Sequence, residues 1–161
     1  MHSSWDSFDV RLMAALEAEG RLTNQELGDR IGLSASQCSR RRSALEAAGL
    51  IVGYRAELAA EALGLTILAF IEVNLSSHSP ENSARFRALL ARIDEVQEAY
   101  SLSGETDYLL KVIVPDLKSL SRLINDTLLG HSTVSRVCSS IALDRLKVSG
   151  RLPLESVAAK A

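Results

Sequence analysis

The sequence predicts an α+β fold, in which an N-terminal helix-turn-helix domain of winged-helix-like type precedes a ferredoxin-like βαββαβ sandwich domain. Three observations support this prediction. Two short helical patterns near the N-terminus are joined by a turn that contains Gly32. Beyond Leu65, runs rich in β-branched residues alternate with segments whose apolar residues recur at helical spacing. The length of 161 residues suits two small domains.

The changes of pattern along the chain set the expected domain boundaries. The stretch from Leu50 to Leu58 looks extended but is too short for a full winged-helix hairpin, so it predicts a strand that links two domains. The residues after the last long strand predict a loosely held tail with a short strand at Leu152–Leu154. The predicted divisions are 1–52 for the helix-turn-helix domain, 53–64 for the linker strand, 65–146 for the ferredoxin-like domain and 147–161 for the tail.

Composition limits the functions that are open to the chain. The net charge of −2 gives no general attraction to nucleic acid, so any such binding must come from local charge. Cys38 and Cys138 are the two cysteines, and their wide separation indicates reduced thiols in a cytoplasmic protein. We find no apolar run near 18 residues and no secretory leader pattern, so we expect no membrane association.

The first two helices are predicted from capping residues and apolar spacing. A helix from Phe8 to Glu19 can begin at Asp6 or Ser7 and ends at Gly20. Thr23 and Glu26 have the spacing of a capping box, which predicts a second helix to about Arg30. Gly28 in that helix stands where a larger side chain would obstruct a close helix contact.

The third helix is the most informative element of the sequence. Ser34 is a good N-cap and Gly49 a good C-terminal stop. Cys38, Leu45 and the aliphatic stem of Arg42 share one face of this helix. The opposite face is small and polar around one cation, which suits entry into a DNA major groove; it contains Ser36, Ser39, Arg40 and Ser43.

A cluster of arginines on a helix is more often a solvated surface than a DNA contact, but the short glycine-containing turn before it favours a helix-turn-helix. We expect Arg40 to donate two hydrogen bonds to a guanine. Arg41 and the start of the second helix are expected to contact phosphate. The predicted DNA-binding residues are Thr23, Asn24, Ser34, Ser36, Gln37, Ser39, Arg40 and Arg41.

The second half of the chain predicts four strands and two helices in the order βαββαβ. The arrangement is one antiparallel sheet with both helices on one face. The other face carries apolar side chains, and a second copy of the chain is its expected cover. The predicted strands are 65–75, 96–103, 108–114 and 133–146, and the predicted helices are 80–93 and 116–129.

Two sets of short motifs in the chain match a known family. The N-terminal set consists of Gly20-Arg21-Leu22, Glu26-Leu27, Gly32-Leu33-Ser34, Cys38, Leu45-Glu46, Gly49-Leu50-Ile51 and Gly53-Tyr54. The C-terminal set consists of Ser103–Lys111 and Val114-Pro115-Asp116. With these motifs the chain resembles the Lrp/AsnC family of transcription regulators over roughly residues 6–148. Two positions depart from the usual pattern of that family: Arg42 stands where valine is common, and Glu105-Thr106 replaces a more common Asp-aromatic pair.

The resemblance implies a homodimer that pairs through its C-terminal sheets and assembles further to an octamer, with a small effector, usually an amino acid, bound between dimers. Asp107 would face the effector's ammonium group, although a turn residue that satisfies its own backbone is an equal alternative. For Leu117 the alternative to an effector contact is packing in the core, and we favour that alternative. By position, the implied effector-binding residues are Tyr100, Gly104, Thr106, Asp107, Leu117, Ser140, Ile141 and Ala142.

The function expected from this pattern is a sequence-specific DNA-binding regulator that responds to a small effector, without a cofactor or metal. One alternative is an enzyme similar to tetrapyrrole-pathway decarboxylases of the same layout. That enzyme needs cationic residues and histidine in the C-terminal cleft, where only His78 and His131 are available, both in predicted loops. Another alternative is a nucleoid-associated protein with little sequence preference.

Overall fold

A computed structural model describes residues 5–147 and 151–154 of the chain. The chain forms two compact units. The first contains the described residues up to Glu57 together with those from Lys147 onward, and the second spans 58–146. No helix within the described ranges is long and apolar enough to cross a membrane.

Three helices build the first unit, as the sequence predicts: α1 (Ser7–Ala18), α2 (Asn24–Ile31) and α3 (Ala35–Ala47). All three begin with a capping box, in which the N-cap side chain and the side chain three residues later satisfy each other's free backbone amides. The N-cap residues are Asp6, Thr23 and Ser34. The sequence left open whether Asp6 or Ser7 is the N-cap of α1, and the structure shows that it is Asp6.

The core of the first unit lies where the three helices meet. Gly28 makes the close contact between α2 and the turn that follows it, because a Cβ atom there would lie 2.4 Å from the carbonyl oxygen of Leu33. The buried apolar side chains of this core are Leu12, Leu16, Leu22, Leu27, Ile31, Cys38 and Leu45.

Two predicted strands outside the sheet domain are absent. Residues 52–59 carry no strand pairing, and the segment continues into a 3-10 turn at Glu61–Leu63, so the prediction of a linker strand was wrong. Leu152–Leu154 is not a strand either; the backbone amide of Leu152 instead donates to Glu17 Oε1 of α1 at 2.8 Å. Extended sequence without a neighbouring strand has no ladder to join, which explains both differences.

The second unit is one four-stranded antiparallel sheet with the predicted βαββαβ order. Its strands lie side by side in the order β2-β3-β1-β4. The strands are β1 (Ile67–Leu75), β2 (Val96–Ser101), β3 (Tyr108–Val114) and β4 (Val134–Ile141), and the helices are α4 (Pro80–Leu90) and α5 (Leu117–Arg122). The strand β4 ends five residues before the predicted boundary at 146.

The second predicted helix of this unit is not α-helical throughout. After Arg122 it continues as a π-helical turn over Leu123–Leu128. Residues five apart stand about 140° apart around an α-helix, but the i→i+5 hydrogen bonds of a π turn bring them to the same side. Leu123 and Leu128 are both buried in the core as a result.

The two faces of the sheet differ in their side chains. Alternate residues of β1 and β3 are fully buried beneath the helices, around Phe86 of α4. The other face, which we call the open face, carries Phe70 and Tyr100 at 38% and 50% exposure. By the register of the three strand pairings, the other residues of this face are Leu68, Glu72, Asn74, Glu98, Leu109, Lys111, Ile113, Arg136, Cys138 and Ser140.

Candidate DNA-binding and effector sites

The face of α3 that the sequence predicts to enter a groove is exposed along its length. Ser36, Ser39 and Arg40 are all exposed. The Arg40 guanidinium makes no hydrogen bond or ion pair with any residue in the described ranges. The helix therefore presents one uncommitted cation among small hydroxyl side chains.

Ser34 and Gln37, at the start of this helix, are engaged in its capping box. The Ser34 hydroxyl accepts a hydrogen bond from the Gln37 amide at 3.2 Å, and Gln37 Oε1 accepts one from the Ser34 amide at 3.0 Å. Ser34 also lies 3.1 Å from the Ser36 hydroxyl. These bonds fix the first turn of α3 and satisfy the backbone amides of Ser34 and Gln37.

Arg41 is turned away from the exposed polar face. Its guanidinium donates to Asp9 Oδ1 at 2.7 Å and to the two oxygens of Asp6 at 3.0 and 2.8 Å. Hydrogen bonds to Asp9 and Asp6 raise the pKa of Arg41 further. The structure therefore does not bring the predicted phosphate contact of Arg41 together with the other predicted residues. Sequence reasoning named Asp6 only as an N-cap candidate and missed both aspartates as partners of Arg41; their i, i+3 spacing is the one local signal that could have suggested it.

Thr23 and Asn24 stand at the start of α2, also predicted to meet phosphate. The Thr23 hydroxyl accepts from the Glu26 amide at 3.2 Å and donates to Glu26 Oε2 at 2.7 Å. The backbone amide of Thr23 also donates to that carboxylate, and these bonds lower the pKa of Glu26. Asn24 Oδ1 is buried and makes no hydrogen bond within the described part of the chain. Both residues are thus placed to define the helix start.

Arg42 and Tyr54 form a cluster that the sequence analysis also missed. The Arg42 guanidinium carbon lies 4.5 Å from the centre of the Tyr54 ring, and its Nε donates to the Tyr54 hydroxyl at 2.7 Å. The hydroxyl in turn donates to Glu46 Oε1 at 2.7 Å. The Arg42 guanidinium is thus engaged by the Tyr54 ring and hydroxyl, in addition to the expected position of its stem.

Four of the implied effector-binding residues lie at the end of the sheet where β2 turns into β3. Asp107 Oδ2 accepts a hydrogen bond from the Leu75 amide at 2.8 Å, and Asp107 Oδ1 lies 3.3 Å from His78 Nδ1. Thr106 donates to Glu72 Oε2 at 3.3 Å. Gly104 has a φ of 142°, which favours glycine at this turn. Asp107 thus satisfies a backbone amide of the neighbouring strand rather than its own turn.

Tyr100 stands at the same end of the sheet, on the open face. Its hydroxyl donates to Glu98, and Lys111 Nζ donates to the other oxygen of that carboxylate at 2.6 Å. The hydrogen bonds from Lys111 and Tyr100 lower the pKa of Glu98. The half-exposed Tyr100 ring is therefore held in place by a charged pair.

The other four implied residues do not lie with the first four. Leu117 is 59% exposed in the first turn of α5, so the alternative that placed it in the core was wrong. Ser140 lies opposite Phe70 on the open face, Ile141 opposite Ala69, and the Ala142 amide donates to the Leu68 carbonyl at 2.9 Å.

The strand register measures this separation. Tyr100 pairs with Leu109 near the start of β3, whereas Leu117 follows the end of β3 at Val114. At about 3.4 Å per residue, the five steps from Leu109 to Val114 put roughly 17 Å along the sheet between Tyr100 and the start of α5. Tyr100 and Leu117 of a single copy therefore stand too far apart to contact the same small molecule.

His78 and His131 do not form part of a metal-binding cluster within residues 5–147 and 151–154. His78 is largely exposed beside Asp107, and His131 Nδ1 lies 2.8 Å from the hydroxyl of buried Thr133.

A three-helix unit that exposes a capped, polar helix with one uncommitted arginine, followed by a βαββαβ sheet domain, defines a two-domain DNA-binding regulator. Comparison with family models agrees with this class. Residues 6–52 match the winged helix-turn-helix DNA-binding domain, and residues 68–152 match the Lrp/AsnC ligand binding domain. The chain belongs to the Lrp/AsnC family of transcription regulators.

Individual relatives are similar to this chain along almost its whole length. The leucine-responsive regulatory protein of Escherichia coli K12 is 34% identical over 151 residues, which cover 94% of this chain and 92% of that protein. A transcriptional regulator of Neisseria meningitidis, solved in complex with L-Met, has 37% identity and a TM-score of 0.92, covering 96% of this chain and 99% of its own. An AsnC family regulator of Agrobacterium tumefaciens has 29% identity and a TM-score of 0.88, covering 94% and 99%.

Proposed function

We propose that this chain is a cytoplasmic, sequence-specific regulator that reads DNA with α3 and changes its assembly or operator affinity when an amino acid binds. The observation that carries the DNA-binding role is the contrast among three neighbouring arginines. Arg41 and Arg42 are held by carboxylates and a tyrosine, whereas Arg40 is exposed and unpaired in the described part of the chain. Arg40 is therefore the side chain that can donate two hydrogen bonds to a guanine.

The remaining predicted contacts divide by chemistry. Ser36, Ser39 and the side-chain amide of Gln37 are small polar groups suited to base edges or water-mediated contacts. Thr23, Asn24 and Ser34 stand at helix starts, where free backbone amides favour phosphate oxygens. Arg41 remains a phosphate contact only if DNA displaces Asp6 and Asp9 from its guanidinium.

An amino acid is the proposed effector because the Neisseria regulator, 37% identical over nearly the whole chain, was solved with L-Met. Asp107 offers a carboxylate for an ammonium group, and the turn at Gly104 offers backbone amides for a carboxylate. Exposed Leu117 and Ile141 offer apolar surface. Since these features stand at opposite ends of the sheet, we place the effector between subunits.

Homodimers form, in this proposal, through the open face. Its exposed Phe70 and Tyr100 leave apolar surface that a second copy would bury. Further pairing of dimers to an octamer would bring the two groups of effector residues together. The division at residues 53–64 would then separate a DNA-binding domain from an effector-binding and oligomerisation domain.

The test is selection of DNA from a random duplex library by the purified wild-type protein, followed by titration of the selected duplex at physiological salt. Arg40→Ala should cost about 1–3 kcal/mol of specific binding. Arg30→Ala is the control, because Arg30 of α2 is an exposed arginine that already pairs with Glu19 at the end of α1. Screening the standard amino acids against the complex then tests the effector.

Equal binding of wild type and Arg40→Ala would contradict the assigned role of Arg40. Failure of the wild type to enrich any sequence, together with a steep dependence on salt, would instead indicate a DNA-organising protein of low specificity.

A further inference from the structure

We infer that Tyr54, clasped by Arg42 and Glu46, is a positioning residue that fixes where the chain leaves the DNA-binding unit and so sets the spacing of the DNA half-sites that the protein accepts. This inference rests on the proposed function for its link to DNA, but the clasp itself follows from contacts within the first unit. We call Arg42, Glu46 and Tyr54 the exit clasp.

Arg42 joins several parts of the first unit at one point. Besides its bond to Tyr54, Nη1 donates to the carbonyl oxygen of Leu22, in the turn between α1 and α2, at 3.2 Å. Its Nε also lies 3.4 Å from Glu46 Oε1, one turn further along α3. The side chain is only 23% exposed. A guanidinium that is planar, stacked and bonded on several sides has little freedom to move.

Tyr54 is held by more than its hydroxyl. A Cβ atom added to Gly20 would lie 3.7 Å from the Tyr54 ring, so the ring also lies beside the end of α1. Burial, and then the bond to Glu46, raise the pKa of the Tyr54 hydroxyl, which keeps it protonated as a donor. One side chain therefore touches the end of α1 and two residues of α3.

The segment on either side of Tyr54 has few other attachments. Val52 is 95% exposed, and Gly53 has a φ of 156°. Residues 55–58 are exposed and carry no strand pairing, and the N-terminal stretch of the first unit ends at Glu57. Tyr54 is thus the last side chain with a defined set of partners before the chain passes to the ligand-binding domain.

The consequence for DNA recognition is geometric. The chain passes between the two units twice, after Glu57 and before Lys147. In a dimer joined through the ligand-binding domains, the point where the first of these crossings begins contributes to the separation of the two copies of α3. One base pair changes the separation of half-sites by about 3.4 Å and their relative rotation by about 35°. A fixed exit point makes the protein selective for spacing, and a loose one makes it tolerant.

Limited trypsin digestion of the full-length protein tests the clasp without DNA, because Arg55 provides a cleavage site directly after Tyr54. Tyr54→Ala should raise the rate of cleavage after Arg55 by about tenfold, since local opening controls access of the protease. Tyr54→Phe, which keeps the ring and loses the hydroxyl, should give a smaller rise. Val52→Ala is the matched control in the same segment and should cleave at the wild-type rate.

The DNA measurement uses the duplex selected by the wild type, derivatives with one to three base pairs added between half-sites, and a single half-site. Tyr54→Ala should bind the single half-site within about twofold of wild type, yet lose most of the preference for the selected spacing. Unchanged half-site affinity excludes general damage to the domain.

Two results would overturn the inference: wild-type cleavage after Arg55 in Tyr54→Ala, or full retention of the spacing preference by that variant. If the wild type selects no sequence, the proposed regulator function fails, and the trypsin result still decides whether the clasp holds the segment.

Discussion

Arg41 of α3 donates a hydrogen bond to Asp9 of α1 over 2.7 Å, and this contact ties the proposed DNA-reading helix to the first helix of the chain. Asp9 is buried at 8% exposure, and Asp6 completes the pair from the N-cap of α1. The charge of Arg41 is therefore already paired with carboxylates of the protein in the absence of DNA.

Removal of Asp9 should weaken the domain. Asp9→Asn keeps the shape of the side chain but loses a hydrogen bond between charged groups, so the free energy of unfolding should fall by roughly 1–3 kcal/mol. Chemical unfolding followed by circular dichroism measures this. Glu19→Gln is the control, because the exposed Arg30–Glu19 pair should contribute less than about 1 kcal/mol. Equal effects of the two changes would count against a structural role of the buried pair.

Release of Arg41 should change how DNA binding depends on salt. In the double variant Asp6→Asn, Asp9→Asn, Arg41 is free to reach a phosphate, and the slope of log affinity against log salt should steepen by about one. Titrations at several salt concentrations provide the slope. An unchanged slope would mean that Arg41 stays away from DNA even without its acidic partners.

Acid should destabilise the first unit through its capping carboxylates. Burial raises the pKa of Asp6, but the Asp9 amide and Arg41 lower it more, and the Thr23 amide lowers that of Glu26. A carboxylate whose pKa is lower in the folded chain adds stability above its unfolded pKa and loses it as pH falls through the folded value. Unfolding free energy should therefore be level near neutrality and fall below about pH 4.

The control for acid sensitivity is Glu26→Gln, which keeps a capping-box acceptor but does not titrate. Its stability should fall less steeply between about pH 4 and pH 2 than that of the wild type. A wild-type protein that became more stable on acidification would contradict the predicted direction of the pH dependence.

Gly28 should not tolerate a methyl group. In Gly28→Ala the new Cβ would lie 2.4 Å from the Leu33 carbonyl oxygen, so the backbone must shift at a cost of about 1–3 kcal/mol. Thermal unfolding of the variant measures the loss. Gly20→Ala is the matched control, since its Cβ would meet only ordinary contacts at 3.7 Å. Similar melting temperatures for the two variants would show that the turn adapts.

The open face should control pairing of subunits. Phe70→Glu puts a carboxylate beside Lys111, its partner in β3, so the isolated subunit stays folded while a charge enters the proposed interface. Sedimentation should show dimers converted to monomers. Leu63→Lys, an equally radical change at an exposed residue of the 3-10 turn, should leave the assembly intact. Dimers that survive Phe70→Glu would place the interface elsewhere.

The sequence predicted the parts of the fold that short-range chemistry determines. Capping at Asp6, Thr23 and Ser34 acts over three residues, so the starts of all three helices could be read from the pattern. Alternation and helical spacing likewise predicted the βαββαβ order. The strands predicted at 50–58 and 152–154 are absent, because pairing depends on a neighbour that local sequence does not contain.

The site was less predictable, since its contacts join residues far apart in the sequence. Helical spacing placed Arg40 and Arg42 on different faces of α3, but Arg41 and Asp9 are 32 residues apart and Arg42 and Tyr54 are 12 apart, so no local pattern indicates the partners of Arg41 and Arg42. Leu117 fits the apolar spacing of α5 but stands in its first turn, beyond the edge of the core. Which residues touch the effector stays a prediction.

The distance between the two groups of proposed effector residues has a thermodynamic consequence. A ligand that touches Asp107 of one subunit and Leu117 of another can be held only by an assembled pair. Its binding is therefore coupled to the association of the subunits with each other. Its apparent dissociation constant must then fall as the protein is concentrated, and dilution alone must release it. The concentration of the regulator in the cell would therefore set the amino-acid concentration at which it responds.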